Sequence, residues 1–357
     1  MSRILVIGGF GFYGSRVVDS LRERGHRVVA SSRALAGREG LEFDLGDPEG
    51  YAGLCDYDLV INASDTVGAS PAAAARYVLD NGGTWMEMGA HAPTVERLLS
   101  LPSSPHPLGT VLVGVGVFPG LSTALARAVA ERGSGCEQIE LGVQLSPLSG
   151  AGPANCALMA ESLFIPAMRF EGGEAKTLAS AIGPAVELDY RNGSRKGVLV
   201  TLPDTHLIAR ATKAPKVATY FSLRPGWLRF NFLFLAHFVR LLRVLRGPLV
   251  WLLTKQLIVL RAILLRGVGT RVELLAVADR GLDSERSESL VFEDGHASTA
   301  IGVCAAAEAW LRRGQSQRPF GIHGVGELFT LDELRRYLDP GPHTSGRRPM
   351  LRTDAPP

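Results

Sequence analysis

The first residues in this chain whose types and spacing could do chemistry are Gly9-Phe10-Gly11-Phe12-Tyr13-Gly14. They form a G-x-G-x-x-G pattern between an apolar run, Ile4 to Ile7, and a stretch that resumes at helical spacing with Val17, Val18 and Leu21. That strand–turn–helix setting is what a dinucleotide fingerprint requires. Gly9 is expected to allow the tight turn out of the strand. Gly11 would let backbone approach a pyrophosphate, and Gly14 would let the helix lie close on the strand. Phosphate oxygens then meet amide N–H groups at the positive end of the helix.

The next strand, His26 to Ala30, ends in Ser31-Ser32-Arg33. An NAD site usually carries Asp or Glu at this point to accept the ribose hydroxyls. The first carboxylate downstream is Glu39. Two hydroxyls and a guanidinium suit a 2′-phosphate instead, so the expected cofactor is NADP. Asp44, Ala63 and Ser64 follow later strands, and Phe118 ends the last strand of this half; they complete the expected cofactor set. If C=O or C=N is reduced, a proton must also be managed. Glu87, His91 and Asp65 are the candidates, because each follows a strand end.

Several chemistries find no support. The four cysteines (Cys55, Cys136, Cys156 and Cys304) show no C-x-x-C or metal spacing and read as buried thiols. The eight histidines contain no H-E-x-x-H, and no G-x-S-x-G elbow occurs. No metal is expected. A net charge of +3 does not argue for nucleic acid. The chain enters a strand at residue 4 with no charged leader, so a cytoplasmic protein is expected.

The elements that must position these residues alternate strand and helix through about residue 130. The fold class expected is therefore α/β: an N-terminal Rossmann, doubly wound parallel sheet with an inserted α+β, mostly antiparallel second domain. Ile139 to Leu145 alternates as a half-buried strand should, and later runs at 185–190, 197–200, 217–221, 271–278 and 287–292 read as further strands. The expected boundaries are 1–132 for the nucleotide domain, 133–295 for the second, 296–339 for helices returning to the first, and 340–357 for a disordered tail.

Gly8-Gly9-Phe10-Gly11-Phe12-Tyr13-Gly14, Ala30-Ser31-Ser32-Arg33, Asp58 to Ala63, and Gly116-Val117-Phe118-Pro119-Gly120-Leu121-Ser122 together resemble the saccharopine dehydrogenase-like (saccharopine reductase) family. The resemblance spans about the first 125 residues and implies a Rossmann domain, an inserted domain and hydride transfer with a nicotinamide cofactor. The chain departs from the family at Glu87 and His91, where an aspartate and then a glutamate are common, and at Ser64-Asp65, where a glycine–proline turn is common.

Trp227 to Gly267 carries no Asp or Glu, while Arg229, Arg240, Arg243, Arg246, Lys255, Arg261 and Arg266 interrupt long apolar pieces. These pieces are too short to span a bilayer, and Pro248 divides them. Basic amphipathic helices with aromatic residues suit an anionic membrane surface. A lid over a lipid-like substrate, a homodimer interface, and core helices whose arginines snorkel out to solvent are the other readings. The function expected is an NADP(H)-dependent oxidoreductase acting on C=N, C=O or C=C in a bulky, lipid-like small molecule, with peripheral membrane contact. The alternatives are a saccharopine-type C–N reaction and a non-catalytic NADP-binding protein at a lipid surface.

Overall fold

The computed structural model describes residues 1–65, 69–102, 108–145, 153–223, 245–264 and 270–338. The expected tail, 340–357, and the first part of the basic apolar insert lie outside the described residues. The chain forms two compact units. One comprises Met1–Ala124 with the described residues from Ala297 onward; the other is Leu125–His296.

The first unit is built on β1 (Arg3–Ile7), α1 (Gly14–Glu23), β2 (Arg27–Ser32), β3 (Leu41–Glu42), β4 (Leu59–Asn62), α2 (Ala72–Asp80), β5 (Thr84–Glu87), α3 (Ala92–Leu99) and β6 (Thr110–Val113). A late strand, β15 (Gly321–Gly324), completes a seven-stranded sheet of order β15-β6-β5-β4-β1-β2-β3. Every pairing in it is parallel. Parallel sheets are covered on both faces, so their strands are apolar without alternation. Ile4, Leu5, Val6, Leu59, Ile61, Trp85, Met86 and Val111 are accordingly buried. The sheet reverses direction at β1, which pairs with β2 on one side and β4 on the other. Ligands collect at the carboxyl ends of strands beside such a switch point. The strand expected over Thr110–Val117 stops at Val113, because Gly114 takes a left-handed φ of 71°.

The returning helix, Gly295–Leu311, is buried nearly all round: Val303, Cys304, Ala305, Ala306, Ala307 and Trp310 have essentially no exposure. It also brings Glu308 to His26, whose Nε2 lies 2.9 Å from the carboxylate. That hydrogen bond holds the Glu308 carboxyl below the usual range against the pull of burial.

The second unit contains β7 (Gln138–Leu145), α5 (Pro153–Ser162), β8 (Met168–Glu171), β9 (Glu174–Thr177), β10 (Ala185–Tyr190), β11 (Gly193–Leu199), α6 (Pro203–Thr212), β12 (Lys216–Leu223), α7 (Arg246–Leu264), β13 (Val272–Ala278) and β14 (Arg286–Phe292). Its sheet runs β10-β11-β12-β7-β13-β14, with the β8–β9 hairpin attached to β12. Only the β7–β12 pairing is parallel.

Here β7 departs from expectation. It is buried on both faces, not one. Leu188 and Tyr190 of β10 reach over Gly142, where a Cβ would lie 2.6 Å from the Tyr190 hydroxyl. The polar face of β7 is thus capped, and its groups are paired internally. Asn192 Nδ2 donates to Gln144 Oε1 at 3.1 Å, and Arg280 donates to Glu140 at 2.9 Å. Alternation in the sequence marks polarity, and polarity fails to mark exposure where a second layer supplies partners.

Candidate functional site

The glycine-rich turn between β1 and α1 is fixed by its own backbone. The Gly9 amide donates to the carbonyls of Val6 and Ser31, the Gly11 amide to Gly8, and the Ser15 amide to Gly11. The glycines divide their tasks differently from the sequence expectation. The left-handed residue that makes the turn is Gly8, with φ 72°, and a Cβ there would meet Ser64 backbone at 2.8 Å. Gly9 is needed for packing against β2: its Cβ would stand 2.7 Å from that of Ala30. Gly14 is the tightest of all, since a Cβ would lie 2.1 Å from the Gly8 carbonyl oxygen. Gly11 is exposed and meets only that same oxygen, at 3.1 Å. Its lack of a side chain is therefore least explained by internal packing. It leaves a bare backbone at the start of a helix, the shape a pyrophosphate takes up. Phe12 and Tyr13 form the rim, their rings edge to face with centroids 5.0 Å apart, and the Arg16 guanidinium covers Phe12.

At the end of β2 the three expected residues separate. Ser31 is wholly buried, and its hydroxyl finds no hydrogen-bond partner among the described residues. It cannot donate outward as expected, because strand alternation turns it inward. Ser32 is half-buried and Arg33 exposed, with no hydrogen bond or ion pair to Arg33 among the described residues. Arg38 is engaged instead, lying 4.3 Å from the centroid of Phe10 and donating to the Leu35 carbonyl. Phe10 therefore belongs to the wall beside β2. Asp44 uses Oδ1 to accept from the Gly46 amide at 2.8 Å, which shapes the turn after β3.

The carboxyl ends of β4 and β5 hold the most polar buried group of this unit. Asn62 and Glu87 are register neighbours and each ends its strand. Glu87 is fully buried and accepts three hydrogen bonds: from Asn62 Nδ2 at 2.9 Å, Trp85 Nε1 at 3.2 Å and the Gly89 amide at 2.9 Å. Burial pushes its carboxyl up to about 7, although all three donors pull it down. Asn62 in turn accepts from the hydroxyl of Ser64 at 2.7 Å and from its amide. Ser64 backbone is what lies against Gly8. A continuous polar chain thus runs from Glu87 through Asn62 and Ser64 to the glycine turn. Glu87, expected among proton-donor candidates, is fully buried, and the three hydrogen bonds it accepts come from its own unit. The spacing Trp85-x-Glu87 puts both side chains on one face of β5, a clue present in the sequence.

Of the other candidates, His91 precedes α3 and its Nδ1 lies 2.8 Å from Thr94 Oγ1. Asp65 is exposed just after β4, and Ala63 is half-buried there. Phe118 is half-buried and Pro119 buried in the irregular turn Val117–Leu121 after β6. Cys156 and Cys304 are buried as expected, whereas Cys55 and Cys136 are only half-buried.

A nicotinamide dinucleotide fits these residues: a bare helix-leading turn at Gly11, an exposed cation at Arg33 with no partner among the described residues, and small residues Ala63 and Ser64 beside the turn.

A model of the NAD dependent epimerase/dehydratase family matches residues 4–104, the stretch from β1 to just beyond α3. No curated protein sequence matches the chain. Among solved structures, an apo saccharopine dehydrogenase (L-Glu forming) from Saccharomyces cerevisiae is 13% identical, with a TM-score of 0.58 over 99% of this chain and 100% of that one. An engineered D-amino acid dehydrogenase bound to NADP+ aligns over 96% of this chain and 97% of its own at 12% identity, with a TM-score of 0.47. The chain has the Rossmann-type α/β fold of saccharopine dehydrogenase, with a second, mixed-sheet unit.

Proposed function

We propose that this chain is an NADP(H)-dependent oxidoreductase that transfers hydride to or from a C=N, C=O or C=C group of a bulky, lipid-like small molecule. The observation that carries the cofactor assignment is the end of β2, where Arg33 is exposed with no partner among the described residues and no carboxylate stands in the NAD position. The Gly11 turn would hold the pyrophosphate. Arg33 and Ser32 would hold the 2′-phosphate, a charge-assisted contact absent with NAD(H). The bound nicotinamide supplies the redox chemistry; the protein supplies position and shields the site. Glu87, Asn62 and Ser64 keep the wall of the site in register. The lipid-like substrate is inferred from the carboxylate-free, apolar composition of Trp227–Gly267.

Titration of the purified protein with NADPH and NADH, followed by nicotinamide fluorescence, tests the assignment. NADPH should bind more tightly, and Arg33→Ala should weaken it about tenfold while leaving NADH unchanged. Equal affinity for both cofactors would refute the NADP preference. A second reading, a protein that binds NADP without turnover, draws support from the burial of Glu87. It predicts tight NADPH binding with no oxidation by carbonyl, imine or enoyl acceptors.

A further inference from the structure

Helix α7 of the second unit is apolar on two sides, and only one of them is used by the fold. Leu249, Val250, Leu253 and Leu257 pack on a cluster containing Ala160, Leu163, Phe164 and Ile182. The opposite side faces outward. Trp251 is 64% exposed, Leu252 46%, Val259 55% and Ile263 69%. At about 100° per residue these four fall within an arc of roughly 120°, shared with Lys255 and bordered by Gln256. From Trp251 to Ile263 the stripe runs about 18 Å along the helix, with Lys255 and Gln256 exposed at its middle. Leu245, just before α7, is also half exposed, whereas Met1, Leu108 and Phe320 lie far from one another in sequence, and single exposed side chains need no explanation.

Charge decides what this face is built to meet. Between Asp204 and Glu273 the sequence holds twelve lysines and arginines and no carboxylate. On α7 itself Arg246 is tied to Glu161, whereas Lys255 has no carboxylate partner among the described residues and lies 5.9 Å from the Trp251 ring. A lysine beside a tryptophan on an apolar stripe is the arrangement of an interfacial helix: the ring sits at headgroup depth and the ammonium reaches the phosphates. Pairing two copies through this face would bring the Lys255 ammoniums of both onto one apolar patch with no carboxylate on its described part to compensate, so a second copy is the poorer occupant. No described helix is long and apolar enough to cross a membrane, so the contact is peripheral.

We propose that the outward face of α7 docks this protein on an anionic lipid surface, with Trp251, Leu252, Val259 and Ile263 in the interface and Lys255 at the headgroups. The reading is independent of the cofactor assignment.

The test is co-sedimentation of the full chain with phosphatidylcholine vesicles, with and without phosphatidylglycerol, at low and high salt, alongside light scattering for oligomeric state. Wild type should bind the phosphatidylglycerol vesicles and lose binding in high salt or on neutral vesicles. Trp251→Glu and, separately, Ile263→Glu should each cut partition about tenfold or more, with unchanged Tm because neither side chain is packed inside. Absence of vesicle binding by the folded wild type would overturn the proposal, as would binding that both variants retain. A change from dimer to monomer in the variants, without vesicle binding, would assign the face to a second copy and overturn it too.

Discussion

The two sheets bury polar groups in opposite places. In the first unit the strand interiors are apolar, and buried polar residues of the sheet stand at strand ends: Thr84 and Thr110 at amino ends, and Ser31, Asn62 and Glu87 at or next to carboxyl ends, where they include the one carboxylate. In the second unit it lies along the strands themselves, at Glu140, Gln144, Thr219, Ser222 and Glu273. The first arrangement leaves the polar network where a ligand can sit against it, beside the glycine turn. The second is spent on internal ties. Glu273 accepts from the Arg191 amide at 2.7 Å, and Tyr190 donates to Ser222 at 3.0 Å, tying the tip of the β10–β11 hairpin to β13 and β12 of the same sheet. Buried polarity borders the proposed cofactor site in one unit and ties strands together in the other.

Substitutions can break this contrast, and the strongest should be Gly14→Val. The Gly8 carbonyl leaves no room for a Cβ, and the contact is backbone on both sides. The first unit should fail to fold, a loss of about 4 kcal/mol or more, read as absence of a cooperative transition.

Next is Glu273→Ala, which takes the buried carboxylate away from the Arg191 amide and the partly exposed Arg271 guanidinium and leaves a cavity in the sheet. A cost of about 3 kcal/mol in urea unfolding is expected, with NADPH affinity unchanged. Weakened NADPH binding would show that the second unit's polar network also serves the cofactor, and the contrast would fall.

Glu87 sharpens the contrast through pH. Its folded carboxyl titrates near 7, above its ordinary value of 4.5, so folding takes up a proton between those values. Stability should therefore fall as pH rises from about 4.5 to about 7, by on the order of 3 kcal/mol. Glu87→Gln, neutral throughout, should flatten that slope in Tm scans. An unchanged slope would remove Glu87 as its cause. Smaller again is Asn62→Ala. It frees Ser64 and costs Glu87 one of its donors, about 1–2 kcal/mol, with a several-fold loss of NADPH affinity through the displaced turn.

Much of the first unit was legible because its signals are local. Continuous apolar runs mark strands covered on both faces, and the glycine spacing fixes the turn after β1. The division of labour among Gly8, Gly9 and Gly14 was not legible, since it depends on how close Ser64 and Ala30 come from other strands. Glu87 looked like a free acid for the same reason: two of its three donors come from outside its own strand. The strand Gly321–Gly324 escaped notice because Gly-Ile-His-Gly has neither alternation nor an apolar run; it is a strand only because β6 offers it an edge. In the second unit the alternation of β7 marks a strand but not its burial, because Leu188 and Tyr190, which cover Gly142, lie some forty residues on in sequence.

The most direct test of the central claim is an NADPH titration of wild type and Gly11→Ala, with Tm recorded for both. The added methyl group meets only the Gly8 carbonyl oxygen inside the protein, so the account predicts a Tm within a few degrees of wild type and NADPH binding weakened at least tenfold. Undiminished NADPH binding by Gly11→Ala, or no NADPH binding by the folded wild type, would contradict the assignment of this turn as the cofactor cradle.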